Sequence, residues 1–67
     1  MCLIIDAPAK ATIPDYIIST AIPRNNDGWG AIWHRDGVTH AKRSLDMSQL
    51  PKFLRSIQNY NRLIHLR

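Results

Sequence analysis

A chain of 67 residues and 7.7 kDa makes one domain, since a second hydrophobic core needs roughly 50 residues more. Its 45% hydrophobic content, with three Gly and four Pro, excludes a disordered or fibrous chain, and no apolar run approaches the about 20 residues of a membrane span. Nine Lys and Arg against five Asp and no Glu leave a net charge of +4, and a single cysteine excludes an internal disulfide.

In chain order, Cys2-Leu3-Ile4-Ile5 reads as a short buried strand stopped by Asp6-Ala7-Pro8. Asp6 ends the apolar run too early for a signal peptide, so the expected location is the cytoplasm. Pro14 opens a helix at its first turn, where a missing N–H is harmless, and Asp15 suits the positive end of the helix dipole. Ile13, Ile17 and Ala21 form an apolar stripe with Ile18 and Ile22 beside it, and Pro23 is the expected stop. Arg24-Asn25-Asn26-Asp27-Gly28 is dense turn chemistry.

Residues 30–34 and 38–42 are β-like runs around Arg35-Asp36-Gly37, and Asp-Gly between two such runs signals a hairpin. Trp29, Ala31 and Trp33 then share one face, and Gly30, Ile32 and His34 the other. Ser48 is the expected cap of a second helix with Pro51 in its first turn. Leu50, Phe53, Leu54 and Ile57 follow amphipathic spacing, and Lys52 and Arg55 lie off that stripe. Asn59-Tyr60-Asn61 ends the helix and residues 62–66 close the chain as a strand, with the segment from about residue 59 left open to mobility. The order β-α-β-β-α-β predicts a single small α+β domain over residues 1–67: a mainly antiparallel sheet with two helices on one face.

Cys2 is the most pointed chemical candidate. Removal of Met1 would make it the N-terminal residue, and its α-amino group, with a pKa of about 7.7–8.0, would act as base for the thiol. With Met1 in place that nitrogen is an amide and cannot. The competing reading is a small buried residue at a strand's start, where free cysteine is common.

Met1-Cys2-Leu3-Ile4-Ile5, Asn26-Asp27-Gly28-Trp29-Gly30 and Ile64-His65-Leu66-Arg67 resemble the opening of class II glutamine amidotransferases. The resemblance runs in order over nearly the whole chain and is closest to short bacterial and phage-encoded members. It implies that Cys2 is the nucleophile that attacks the glutamine side-chain amide. It implies further that residues 27–30 begin a core strand near the site, and that Arg67, in a His-x-Arg motif, holds the substrate α-carboxylate. The family continues beyond this motif to an Asn-Gly oxyanion hole, and losing one oxyanion donor costs about 10²–10³ in rate. With the sequence ending at Arg67, the expectation is a binding protein, and catalysis by Cys2 and Arg67 is the alternative.

Charge gives that expectation a surface. Residues 1–33 carry Lys10 and Arg24 against three Asp, and residues 34–67 carry seven basic side chains against two Asp. Arg35, Lys42, Arg43, Arg55, Arg62 and Arg67, with Lys52, form the candidate partner-binding set, and Lys42-Arg43 with Arg62 and Arg67 are expected to converge on one side. Such a set suits an acidic protein face or, without sequence specificity, nucleic acid; helix-turn-helix and RNP-type signatures are absent. His34, His40 and His65 match no compact zinc spacing and read as strand histidines, with His34 and His40 able to present donors at a surface. Trp29 and Trp33 read as core, the competing reading being an interface anchor.

The expected activity is that of a small, basic, non-enzymatic interaction protein of the phage-encoded kind. It would bind and modulate, as an inhibitor or regulator of transcription, a larger host assembly with RNA polymerase as the leading candidate. No cofactor, metal or membrane is expected. The alternative is a class II glutamine amidotransferase-like glutaminase, or a subunit of one.

Overall fold

Asp36 and Gly37 both take positive φ, 53° and 78°, which is the backbone of a two-residue turn whose twist matches that of the flanking strands. They join β2 (Trp29–Arg35) to β3 (Val38–Ser44), paired from Trp29↔Ser44 to Arg35↔Val38. β4 (Arg62–Leu66) lies antiparallel on the other side of β2, and β1 (Leu3–Ala7) lies antiparallel to β4. The sheet order is β1-β4-β2-β3. The structure is a computed structural model, and residues 2–67 are described; Met1 lies outside them.

The architecture is the expected α+β one, with four antiparallel strands and two helices in the order β-α-β-β-α-β. Local boundaries differ. β1 runs on through Asp6 and Ala7 and stops at Pro8, which has no N–H for the ladder. Helix α1 (Asp15–Arg24) continues one residue past Pro23, because a proline in the last turn gives up one hydrogen bond and leaves the earlier turns intact. Its core stripe is Ile18 and Ala21 with Ile22 packed beside them, whereas Ile17 is only half-buried and outside the core cluster.

A 3-10 turn (Met47–Gln49) leads into α2 (Leu50–Ser56), with Pro51 in its first turn. Ser48 is not the cap of α2, which starts from Gln49 without a side-chain cap bond; Asp46 caps the 3-10 turn before it. The Asp46 carboxylate accepts the Ser48 backbone N–H at 3.0 Å and its hydroxyl at 2.6 Å, and an ionised oxygen accepts more strongly than a hydroxyl.

Both helices cover one face of the sheet. Leu50, Leu54 and Ile57 from α2 and Ile18 and Ala21 from α1 meet Trp29, Ala31, Ile64 and Leu66 from the strands; Leu50, Ile64 and Leu66 are wholly buried. Phe53 lies between the two tryptophans, 5.0 Å from Trp29 and 5.2 Å from Trp33 between ring centroids. Trp29 is core and donates its indole N–H to the Asp46 carbonyl at 2.9 Å, tying the start of α2 to the sheet. The strand left open to mobility, β4, is an inner strand bonded on both sides.

The other face of the sheet is bare. Alternation puts Ile4 and Asp6, Leu63 and His65, Gly30, Ile32 and His34, and Thr39, Ala41 and Arg43 on it. Of these, Ile4 is 65% exposed, Ile32 47% and Leu63 41%.

Candidate interaction site at the open end of the sheet

β2 begins, β3 ends and β4 ends at the same edge of the molecule, and three basic side chains meet there. Gly30 is the cross-strand partner of Arg43 on one side and of His65 on the other. Arg67 follows β4 at the same edge, its backbone N–H donating to the Gly28 carbonyl at 3.0 Å and its carbonyl accepting the Asp27 N–H at 2.6 Å. Arg43, His65 and Arg67 line one cleft of about 700 Å³ together with Asp27, Gly28, Gly30 and Leu45. All three basic side chains are exposed. Leu45 on the rim is 84% exposed.

The local sequence explains the geometry. Gly28 has φ +143°, and a Cβ there would stand 3.2 Å from the Leu45 Cδ2 and 3.3 Å from the Ser44 carbonyl oxygen. Only glycine fits, and the close approach lets the turn before β2 lie against the exit of β3. Gly30 carries no side chain between Arg43 and His65, so the cleft floor is backbone.

The remaining basic residues are not part of this cluster. Arg35 sits at the far end of β2, with Asp36 at 3.5 Å and the Tyr60 ring 5.8 Å from its guanidinium carbon. Lys42 points to the helix-covered face, its Nζ 5.2 Å from the Phe53 ring centroid. Arg55 lines the groove of about 420 Å³ between α1 and α2, and Lys52 is exposed on α2.

Arg62 is a different kind of residue. It is 4% exposed, and its guanidinium donates to the carbonyls of Pro8 (2.9 Å), Gln58 (3.2 Å), Tyr60 (3.2 Å) and Ala11. Those bonds tie the loop after β1 and the turn after α2 to the start of β4. Among the described residues no carboxylate partners it, and burial lowers its pKa below the ordinary arginine value. Expected at a binding surface beside Arg67, Arg62 is instead an internal brace: an apolar alternation with Ile64 and Leu66 turns it toward the core, where backbone oxygens satisfy it.

Cys2 is a free, exposed cysteine just before β1, and the Leu3↔Leu66 pairing sets it alongside Arg67 in register. The three stretches that carry the amidotransferase resemblance are therefore the starts of β1 and β2 and the end of β4, at one edge of the sheet. Their side chains divide, however. Cys2 lines a cleft of about 300 Å³ against α1 with Tyr16, Thr20, Arg24 and Asn25, and Arg67 lines the basic cleft. Asn25 is buried, donates to the Ala21 carbonyl at 2.9 Å, and leaves its Oδ1 without a partner.

His34 and His40 lie along the hairpin, His40 stacked on Trp33 at 5.5 Å between centroids and His34 Nδ1 3.4 Å from the Thr39 hydroxyl. Among the described residues no three His, Cys, Asp or Glu side chains lie together as a metal site requires, and no helix is long and apolar enough to cross a membrane. Sequence reasoning missed His65 and Leu45 as members of the cleft. The i, i+2, i+4 series Leu63, His65, Arg67 was the signal for the first; the second had none. No protein-family model matches the chain, and no curated protein or solved structure does so either.

Proposed function

We propose that the chain is a small interaction protein that binds an acidic face of a larger macromolecular assembly through the open end of its sheet. The observation that carries this reading is the convergence of Arg43, His65 and Arg67 on one exposed cleft beside an exposed leucine. Arginine is enriched among interface hot spots, and its charge steers an acidic partner into place. A regulator of host transcription, of the phage-encoded kind and acting on RNA polymerase, is the form of this reading to test first; the net charge of +4 and the resemblance to phage-encoded chains support it. The test is binding of purified bacterial RNA polymerase by the wild type and by the pair Arg43→Glu and Arg67→Glu.

A second reading is favoured by a separate observation: the stretches containing Cys2, Asp27-Gly28 and Arg67 share one sheet edge. On that reading the chain belongs to an amide-hydrolysing, glutamine-dependent enzyme in which Cys2, freed of Met1, is the nucleophile. Intact mass reports whether Met1 is removed. Glutamine-dependent ammonia release that vanishes in Cys2→Ala would establish this reading, and its absence in a protein shown to begin at Cys2 would dismiss it for the chain alone.

A further inference from the structure

We propose that the groove between α1 and α2 is a binding site for a small apolar monocarboxylate, held with its carboxylate toward Arg62. The groove shares no lining residue with the basic cleft, so the inference does not depend on the acidic partner.

Arg62 is one of the groove's lining residues. It is 4% exposed, and its carbonyl partners are all served from Nη1 and Nη2. The remaining donor, Nε–H, is buried and has no acceptor. Among the described residues no carboxylate pairs with this guanidinium either. A carbonyl answers a donor but carries no net charge, so the cation stays unneutralised inside the fold, where an unpaired charge is costly.

The walls define the body of the ligand. Ile13, Ile18, Ile22 and Leu54 line the groove, with Ile18 and Leu54 buried. Its volume of about 420 Å³ falls within the about 300–1,000 Å³ of small-molecule sites. Branched aliphatic walls suit an aliphatic or aryl body and not a sugar's row of hydroxyls, which would lose their hydrogen bonds to water there.

Charge sets the head group. Two arginines, Arg62 and the exposed Arg55, against one exposed aspartate, Asp15, leave the lining at +1. One carboxylate balances that charge, whereas a phosphate or a dicarboxylate brings a second negative charge toward Asp15. Nε–H has no solvent contact, so the attraction acts through surroundings of low dielectric, where a guanidinium draws a carboxylate more strongly than in water.

NMR titration of the whole chain with 4-phenylbutyrate tests this, read at the Arg62 Nε–H resonance, which burial protects from exchange. The neutral control of similar shape is 4-phenylbutanol. The expected result is a saturable shift of the Arg62 signal with a Kd on the order of 1 mM, the affinity that about a dozen heavy atoms supply. The alcohol binds about tenfold more weakly, because it lacks the charge. Ser19→Trp, at an exposed position lining the groove, fills the space and abolishes the shift while the amide signals of the sheet keep their places. Equal binding of acid and alcohol overturns the proposal, since the groove is then only apolar. So does a shift at Arg43 and Arg67 without one at Arg62, which would place the carboxylate in the basic cleft. No shift at about 20 mM overturns it as well, as does a folded Ser19→Trp protein that binds like the wild type.

Discussion

Arg43 and His65 stand on either side of the same glycine: each is the cross-strand partner of Gly30, Arg43 from β3 and His65 from β4. Two strand spacings put their backbones about 10 Å apart with no side chain between them. That separation admits an acidic side chain or a loop of a partner, and Arg67 at the strand end closes the third side. The basic character of the C-terminal half thus becomes a local site only at this edge.

Arg62 is the opposite case, a charge spent inside the fold. Arg62→Ala leaves the carbonyls of Pro8, Ala11, Gln58 and Tyr60 without their donor, and the expected loss of unfolding free energy is about 3–5 kcal/mol. Arg62→Lys recovers part of it, because an ammonium cannot span the carbonyls that a planar fork reaches. Urea denaturation measures both. A loss below about 1 kcal/mol in Arg62→Ala, the scale of an ordinary exposed hydrogen bond, would contradict the bracing role.

The two positive-φ glycines differ in what surrounds them. Gly37 has φ +78° and nothing within 4 Å of a Cβ, and Gly28 has φ +143° with Leu45 and the Ser44 carbonyl crowding it. Gly37→Ala should cost about 1 kcal/mol, the strain of a left-handed alanine. Gly28→Ala should cost about 2–4 kcal/mol, since it adds close contacts to a conformation essentially confined to glycine. Thermal denaturation of both variants ranks them; equal costs would mean that the turn before β2 shifts freely away from Ser44.

Asp46 predicts a feature of the acid limb. Its hydrogen bonds from the Ser48 hydroxyl and backbone N–H lower its pKa below the ordinary 3.8. A carboxylate depressed in the folded state adds stability that is present above 3.8 and is lost as pH falls through the folded value. Carbon-detected NMR titration should place the Asp46 midpoint below 3.8, and Asp46→Asn should remove that part of the acid-induced loss. A midpoint at or above 3.8 would break the assignment of Asp46 as the cap.

Much of the fold is readable in residue order. Asp36-Gly37 announced the hairpin because that pair favours a turn with two positive φ angles, and the spacing of Leu50, Phe53, Leu54 and Ile57 announced α2. Sheet order was not readable. That β4 inserts between β1 and β2 depends on non-local pairings such as Ile5↔Ile64 and Ala31↔Ile64, which leave no local trace.

The candidate site was half readable. Of the four basic residues expected to converge, Arg43 and Arg67 share the cleft, and Lys42 turns to the helix-covered face. Arg62 was misread because charge in a sequence suggests solvent, and nothing local reveals that the loops on either side will supply four carbonyl acceptors. Position along a strand was the better guide: Arg62 shares parity with buried Ile64 and Leu66, while His65 and Arg67 share the exposed one.

The proposed contact surface for an acidic face of RNA polymerase is the cleft of Arg43, His65 and Arg67. Biolayer interferometry with immobilised chain and purified bacterial RNA polymerase tests it most directly, comparing Arg43→Glu with Arg67→Glu against a control pair, Arg35→Glu with Arg55→Glu, that carries the same charge change elsewhere. The expected result is binding by the wild type, weakened at least tenfold in the first pair and by less than threefold in the control, on the scale of about 1.4 kcal/mol per decade. No binding by the wild type, or equal weakening in both pairs, would contradict it.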